Sequence, residues 1–245
     1  MPQRTIAGYL NKNKFFMKKF LLVASICSML FSINSCRSTH TAGSAVDTTA
    51  LHNTLPKNGE LVNDKPAGKG WVNLLATMDD WIAEKPYWQL DSGMLHGDYN
   101  GGKYHNYAYT KIVYKDYELN VMIRMSGREA NSGVCIRIHP ANTDSVPGYQ
   151  VDMGPGYWGC LWEEKRAGMV QQYPRMLADK LVNANGWNHY YIIAKGHHIR
   201  AWLNGVKTID TIHEAGFSDG AIGFQLCHGD KHTTVDVKAL YIRVL

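Results

Sequence analysis

Residues 117–139 read YELNVMIRMSGREANSGVCIRIH, and their spacing decides the fold. Tyr117, Leu119, Val121, Ile123 and Met125 alternate with Glu118, Asn120, Met122 and Arg124. After a short polar break, Val134, Ile136 and Ile138 alternate with Gly133, Cys135, Arg137 and His139. A period of two sends successive side chains to opposite faces of a strand, one face into a core and the other out of it. The pattern recurs downstream. Val151 and Met153 alternate with Gln150 and Asp152, and Ile199, Ala201 and Leu203 with His198, Arg200 and Trp202. Ile222, Phe224 and Leu226 alternate with Gly223 and Gln225, and Val235, Val237, Leu240 and Ile242 close the chain. Asn204-Gly205 predicts a two-residue hairpin turn. A long helix has no place; a short one fits near 79–84 or 213–217. So many short strands between Trp71 and Leu245 predict one all-β domain, a two-sheet sandwich or jelly roll.

Upstream the pattern changes. Phe20 to Ile33 (FLLVASICSMLFSI) is apolar throughout. It is shorter than the roughly 20 residues that span a hydrocarbon core and suits the central region of a secretory signal. Arg4, Lys12, Lys14, Lys18 and Lys19 precede it without an acid, and Met17-Lys18-Lys19 would serve as a compact start by itself. Ile33-Asn34-Ser35-Cys36 resembles a bacterial lipobox, with Asn34 an unusual occupant of its position. The expectation is an exported lipoprotein: residues 1–35 removed, Cys36 lipid-modified, and the acylated cysteine holding the protein to a membrane of the cell envelope. No acidic run follows Cys36, which favours the periplasmic side over the outer surface. Residues 37–69, polar and holding Pro56 and Pro66, read as a tether, leaving 70–245 as the domain.

This segment also accounts for the charge. The formal net charge is +5, and the five basic residues before position 36 supply all of it. The mature protein is neutral, so the pI of 8.8 is no argument for nucleic acid as a partner. Cys135, Cys160 and Cys227 remain in the domain, an odd number without CxxC spacing. One bridge among them would suit an oxidising compartment, but spacing does not pair them.

If the aliphatic sets face inward, Glu118, Asn120, Arg124, Arg137, His139, Gln150, Asp152 and Gln225 face outward. Together such groups can bind hydroxyls, polarise a carbonyl and move a proton. Tyr104, Tyr107, Tyr109, Tyr149, Tyr157, Trp158 and Trp162 add flat apolar platforms for a sugar ring. Any one of these residues is more often a surface or ion-pair residue; the set on one face argues for a binding groove.

Several runs resemble one known family. Asn131-Ser132-Gly133-Val134-Cys135-Ile136-Arg137, Gly148-Tyr149-Gln150-Val151-Asp152 and Tyr157-Trp158-Gly159-Cys160-Leu161-Trp162-Glu163-Glu164-Lys165-Arg166 look like its central motifs. Asp116-Tyr117-Glu118-Leu119, Trp187-Asn188, Leu203-Asn204-Gly205 and Ile222-Gly223-Phe224-Gln225 match around them. Each is a weak signal; their order and spacing from Trp71 to Leu245 resemble the 3-keto-disaccharide hydrolase domain family. The resemblance implies a concanavalin-A-like jelly-roll sandwich of two antiparallel sheets. It also implies cleavage of a disaccharide or other glycoside already oxidised at C3 by a separate sugar dehydrogenase. A ketone at C3 acidifies the neighbouring C2–H; a base removes that proton, the C1 substituent leaves, and water adds to the enone. The paired carboxylates of ordinary glycosidases are not required. A base, an electrophile for the enolate oxygen and an acid for the leaving oxygen are.

On this resemblance Arg137 suits the enolate oxygen, His139 the base, and Asp152 and Glu164 the remaining acid–base work. Glu118, Asn131, Gln150, Tyr157, Trp158, Glu163, Arg166, Gln225 and His228 are expected to bind substrate. Two departures stand out: Gln150 occupies a place where the family often has Glu, and Cys227 a place where it tends to have His, with His228 following. No metal ligands are assigned, because His197-His198 and the His228, Asp230, His232 group lack zinc-site spacing; a divalent metal stays open as a cofactor. The chain lacks a P-loop, a GxGxxG, a GxSxG elbow and the ExDxE of laminarinase-type hydrolases. The rival reading is a non-catalytic carbohydrate-binding domain. The enzyme reading expects Arg137, His139, Gln150 and Asp152 to share one pocket.

Overall fold

The alternating runs pair into two antiparallel sheets that close on a common apolar core, as a computed structural model of the protein shows; it describes residues 54–141 and 146–245. The signal segment, Cys36 and the start of the expected tether lie outside the described residues. In chain order the strands are β1 (Leu61–Val62), β2 (Lys65–Pro66), β3 (Val72–Asn73), β4 (Trp81–Ala83), β5 (Trp88–Asp91) and β6 (Met94–Tyr99). Next come β7 (Asn106–Thr110), β8 (Tyr117–Ser126), β9 (Ser132–Ile138), β10 (Gly148–Met153), β11 (Leu161–Glu164) and β12 (Gly168–Gln171). Beyond the helix α1 (Arg175–Leu181) lie β13 (Asn188–Lys195), β14 (His198–Leu203), β15 (Val206–Ile212), β16 (Ala221–Leu226) and β17 (Thr233–Val244).

One sheet runs β12-β11-β10-β9-β16-β7-β4; the other runs β15-β14-β13-β8-β17-β6-β5, with β3 added beside β17. Val134, Ile136, Tyr149, Val151, Ile222 and Phe224 from the first meet Leu119, Val121, Ile123, Ile192, Val235 and Val237 from the second in one buried cluster. Burial of these apolar faces is the main stabilising term of such a sandwich. Asn204-Gly205 makes the predicted hairpin turn, with positive φ at both residues (48° and 86°).

Of the two places offered for a short helix, the first holds a single 3-10 turn at Met78–Asp80, capped by the Thr77 hydroxyl, and 213–217 is a turn. The helix that does form, α1, follows Pro174, whose fixed φ suits a helix start. Part of the expected tether belongs to the fold. Leu55 and Trp71 pack on Tyr191, Ile193 and Trp202, covering the outer face of the second sheet, and Gly59 lies buried against Tyr191.

Bulges in β17 and β9 break the strict alternation. In β17 the register shifts between Lys238 and Tyr241, with Ala239 at φ 50°, so Leu240 and Ile242 stay on the core side. In β9 the register against β16 shifts between the pairs Gly223↔Cys135 and Ala221↔Ile138, and Arg137 takes φ 52°. A bulge inserts one residue and reverses the facing of the residues beyond it. Ile138 therefore joins Cys135 and Tyr107 on the outer face, while Arg137 turns away from it.

Candidate functional site

The outer face of the first sheet holds the chemistry. Register places Asp152, Gly133, Gln225 and Tyr107 in one rung across β10, β9, β16 and β7. Trp162, Gln150, Cys135, Gly223 and Tyr109 form the next. Because Gly133 has no side chain, Gln150 lies over it and reaches the neighbouring rung. Its Nε2 donates to Gln225 Oε1 (3.3 Å) and, at the limit of bonding distance, to Asp152 Oδ1 (3.5 Å). Gln225 Nε2 donates in turn to the Tyr107 hydroxyl at 2.7 Å. The chain of amides leaves Gln150 Oε1 buried without a partner among the described residues. A native buried acceptor usually has one, so this atom is an unpaired acceptor beneath the hollow that Gln150 lines.

Asp152, Gln150, Asn131, Tyr157, Trp162, Glu164 and Lys231 line a hollow of about 220 Å³. Asp152 Oδ1 accepts the Met153 amide (3.1 Å) as well as Gln150, leaving Oδ2 without a hydrogen bond among the described residues. Burial pushes the Asp152 carboxyl up to about 8, the Met153 amide opposing and the Glu164 charge adding to the rise. Burial also raises Glu164, against the opposing charges of Lys165 and His228. At neutral pH, then, Asp152 holds a proton to give, while the less deeply buried Glu164 stands beside Lys165. Two carboxyls in unlike surroundings can divide acid and base work. Tyr157 is exposed and Trp162 half-buried at the rim, so both offer ring faces to a ligand.

His228 and His105 adjoin the hollow. Their rings lie 4.1 Å apart and the His228 amide donates to His105 Nδ1 (3.1 Å). Burial, with the His228 charge next, lowers His105 to about 4, so its ring is neutral. Among the described residues no group of three or more His, Cys, Asp or Glu side chains could hold a metal ion. Cys135, Cys160 and Cys227 are all buried and free, so none of the possible bridges joins them.

Of the residues expected from the sequence, Asn131, Gln150, Asp152, Tyr157 and Glu164 come together, with Gln225 beneath and His228 beside them. The others do not. Arg137, fully buried, donates to the carbonyls of Lys115 (3.0 Å) and Phe217 (3.3 Å) and approaches Asp116 at 3.7 Å. His139 hydrogen-bonds the Asp219 carbonyl (2.9 Å) and packs on Phe217. The shared pocket of Arg137, His139, Gln150 and Asp152 is thus corrected: the β9 bulge separates the first pair from the second.

Glu163 pairs in register with Tyr149, on the core side of β11, where it accepts the Ala167 amide (3.2 Å) and meets Arg166 at 3.5 Å. Arg166 donates to the Ala215 carbonyl and lies over Phe217, so both residues fasten the 213–217 turn. Glu118 stands on the other sheet, bound by Arg243 at 2.5 Å. Trp158 is a core residue stacked on Tyr190, 6.4 Å between centroids. Among the residues lining the hollow, Lys231 is the one that the sequence alone did not single out; Tyr107 and Trp162 stood in the sequence as ring platforms. Lys231 sits in the turn whose histidines drew attention as metal ligands, and no periodicity marks a turn residue.

Residues 57–243 match the family model of the 3-keto-alpha-glucoside-1,2-lyase-like domain. Two crystal structures from Parabacteroides distasonis ATCC 8503, each of a "putative glycosyl hydrolase", are similar in fold. One has a TM-score of 0.53 and 22% identity, covering 72% of this chain and 100% of its own. The other has a TM-score of 0.53 and 17% identity, covering 72% and 94%. Identities this low speak for the fold alone. No curated protein gives a match.

Proposed function

Since the chain belongs to the 3-keto-alpha-glucoside-1,2-lyase-like family, we propose that it cleaves glycosides already oxidised at C3, in the hollow of Asp152, Glu164 and Lys231. The observation that carries this reading is the pair of unlike carboxyls facing one cation between two aromatic rims. Glu164 takes the C2 proton. The C2–H electrons move into a C2=C3 enolate, whose oxygen Lys231 stabilises. The enolate then collapses to the C3 ketone, C1=C2 forms, the C1–O bond breaks, and Asp152 protonates the departing oxygen. Water adds at C1 and a proton returns to C2, giving the free 3-keto sugar. Gln150 Oε1 accepts a substrate hydroxyl, and Trp162 and Tyr157 cover the ring.

The ketone comes from a separate dehydrogenase, and the lipid on Cys36 holds the protein in the cell envelope, on its periplasmic side. The test is incubation with a 3-keto-α-glucoside in deuterated water. Cleavage with deuterium at C2, and none of the unoxidised glucoside, is the expected result; Glu164→Gln should abolish both exchange and cleavage. Retention of the sugar without exchange would mark the protein as a carbohydrate-binding domain instead.

A further inference from the structure

The same outer face carries a second, larger hollow of about 380 Å³, lined by Ile82, Tyr107, Tyr109, Pro140, Ala141 and Val146 among others. Its volume is within the range of small-molecule sites, about 300 Å³ and upward. His105 and Tyr107 join it to the first. His105 lines the larger hollow and feels the charge of Lys231 in the smaller, and Tyr107 is tied through Gln225 to Gln150.

Several polar atoms of this hollow are already engaged. Asn106 Oδ1 accepts the Trp88 indole N–H (2.7 Å), and its Nδ2 donates to Glu84 Oε2 (2.6 Å). The Tyr107 hydroxyl accepts from Gln225, and His105 Nδ1 accepts from the His228 amide. Glu84 and the Tyr109 hydroxyl aside, what faces the space is mostly aliphatic and aromatic.

We infer that this hollow receives the leaving group, and that the group it fits is a neutral aromatic or alkyl aglycone in preference to a second sugar. This rests on the reading of the Asp152 hollow as the place of cleavage. A second sugar would bring several hydroxyls against mostly apolar walls with few partners for them, and each hydroxyl left unpaired costs its desolvation. An apolar ring loses nothing there and gains burial. The Glu84 carboxylate at the edge turns away anionic aglycones.

Benzyl alcohol is a poorer leaving group than the anomeric hydroxyl that departs from trehalose, so a preference for a benzyl glycoside reflects binding and not leaving-group chemistry. Benzyl 3-keto-α-glucoside should be cleaved with a kcat/KM about tenfold above that of 3-keto-α,α-trehalose. Ile82 is exposed on edge strand β4, so Ile82→Asn alters the wall and spares the core. It should shrink the preference roughly threefold or more, chiefly by lowering kcat/KM on the benzyl glycoside. Equal use of the two substrates, or a preference indifferent to Ile82→Asn, overturns the inference. If neither keto-glycoside is cleaved, the proposed function fails, and calorimetry on unoxidised ligands decides the hollow separately. Tighter binding of benzyl α-glucoside than of trehalose, weakened by Ile82→Asn, supports it; equal or no binding overturns it.

Discussion

Gln150 folds its side chain across Gly133, so closely that a Cβ at position 133 would stand 2.2 Å from Gln150 Cγ and 2.5 Å from Nε2. Gly133→Ala therefore pushes the amide off Gln225 and Asp152 without touching the core face of β9. Displacements of about 1 Å at a reacting centre can cost on the order of a hundredfold in rate. The expected outcome is a large fall in kcat on a 3-keto-glycoside with a melting temperature close to wild type. A variant with unchanged kcat would remove Gln150 from the site.

Asp152 lies far above its ordinary value, at about 8 against 3.8. Between those two values the folded protein keeps a proton that the unfolded chain has released. Stability must then fall as pH rises through this window, the reverse of an ion-paired carboxylate. Asp152→Asn removes this dependence, so denaturation midpoints of wild type and variant should diverge on going from about pH 4 to about pH 8, the variant gaining. As the acid of the reaction, Asp152 should also give wild-type turnover a limb that declines above about pH 8, absent in the slow variant.

Arg137 is a structural cation. Its guanidinium satisfies the carbonyls of Lys115 and Phe217 and faces Asp116, holding two loops to the β9 bulge. Loss of such charged hydrogen bonds costs about 1.5–3 kcal/mol each. Arg137→Ala should lower stability by roughly 3 kcal/mol in urea titration, and the folded fraction should keep its KM. Loss of turnover with unchanged stability would restore Arg137 to catalysis.

Trp158 and Trp162, four positions apart, should behave as opposites. Trp158 is buried against Tyr190, so Trp158→Ala opens a cavity and costs about 3–5 kcal/mol. Trp162 lines the hollow, so Trp162→Ala should raise KM and leave the melting temperature nearly alone. Thermal melts and steady-state kinetics on the pair check both halves.

Period-two spacing determined the all-β class by itself, because side-chain direction in a strand is local geometry. Leu119, Val121, Val134, Val151 and Phe224 enter the core as their alternation requires, and Gln150, Asp152 and Gln225 face out for the same reason. The ordered motifs identified the family. Three things needed the tertiary structure. Which sheet an outward residue belongs to is a matter of strand order, and this put Glu118 on the face opposite Asp152. Whether alternation persists depends on bulges, and Arg137 at φ 52° reversed it where the sequence carries no glycine to warn of the change. Turn residues have no period at all, so Lys231 joined the carboxyls only through the path of the chain after β16.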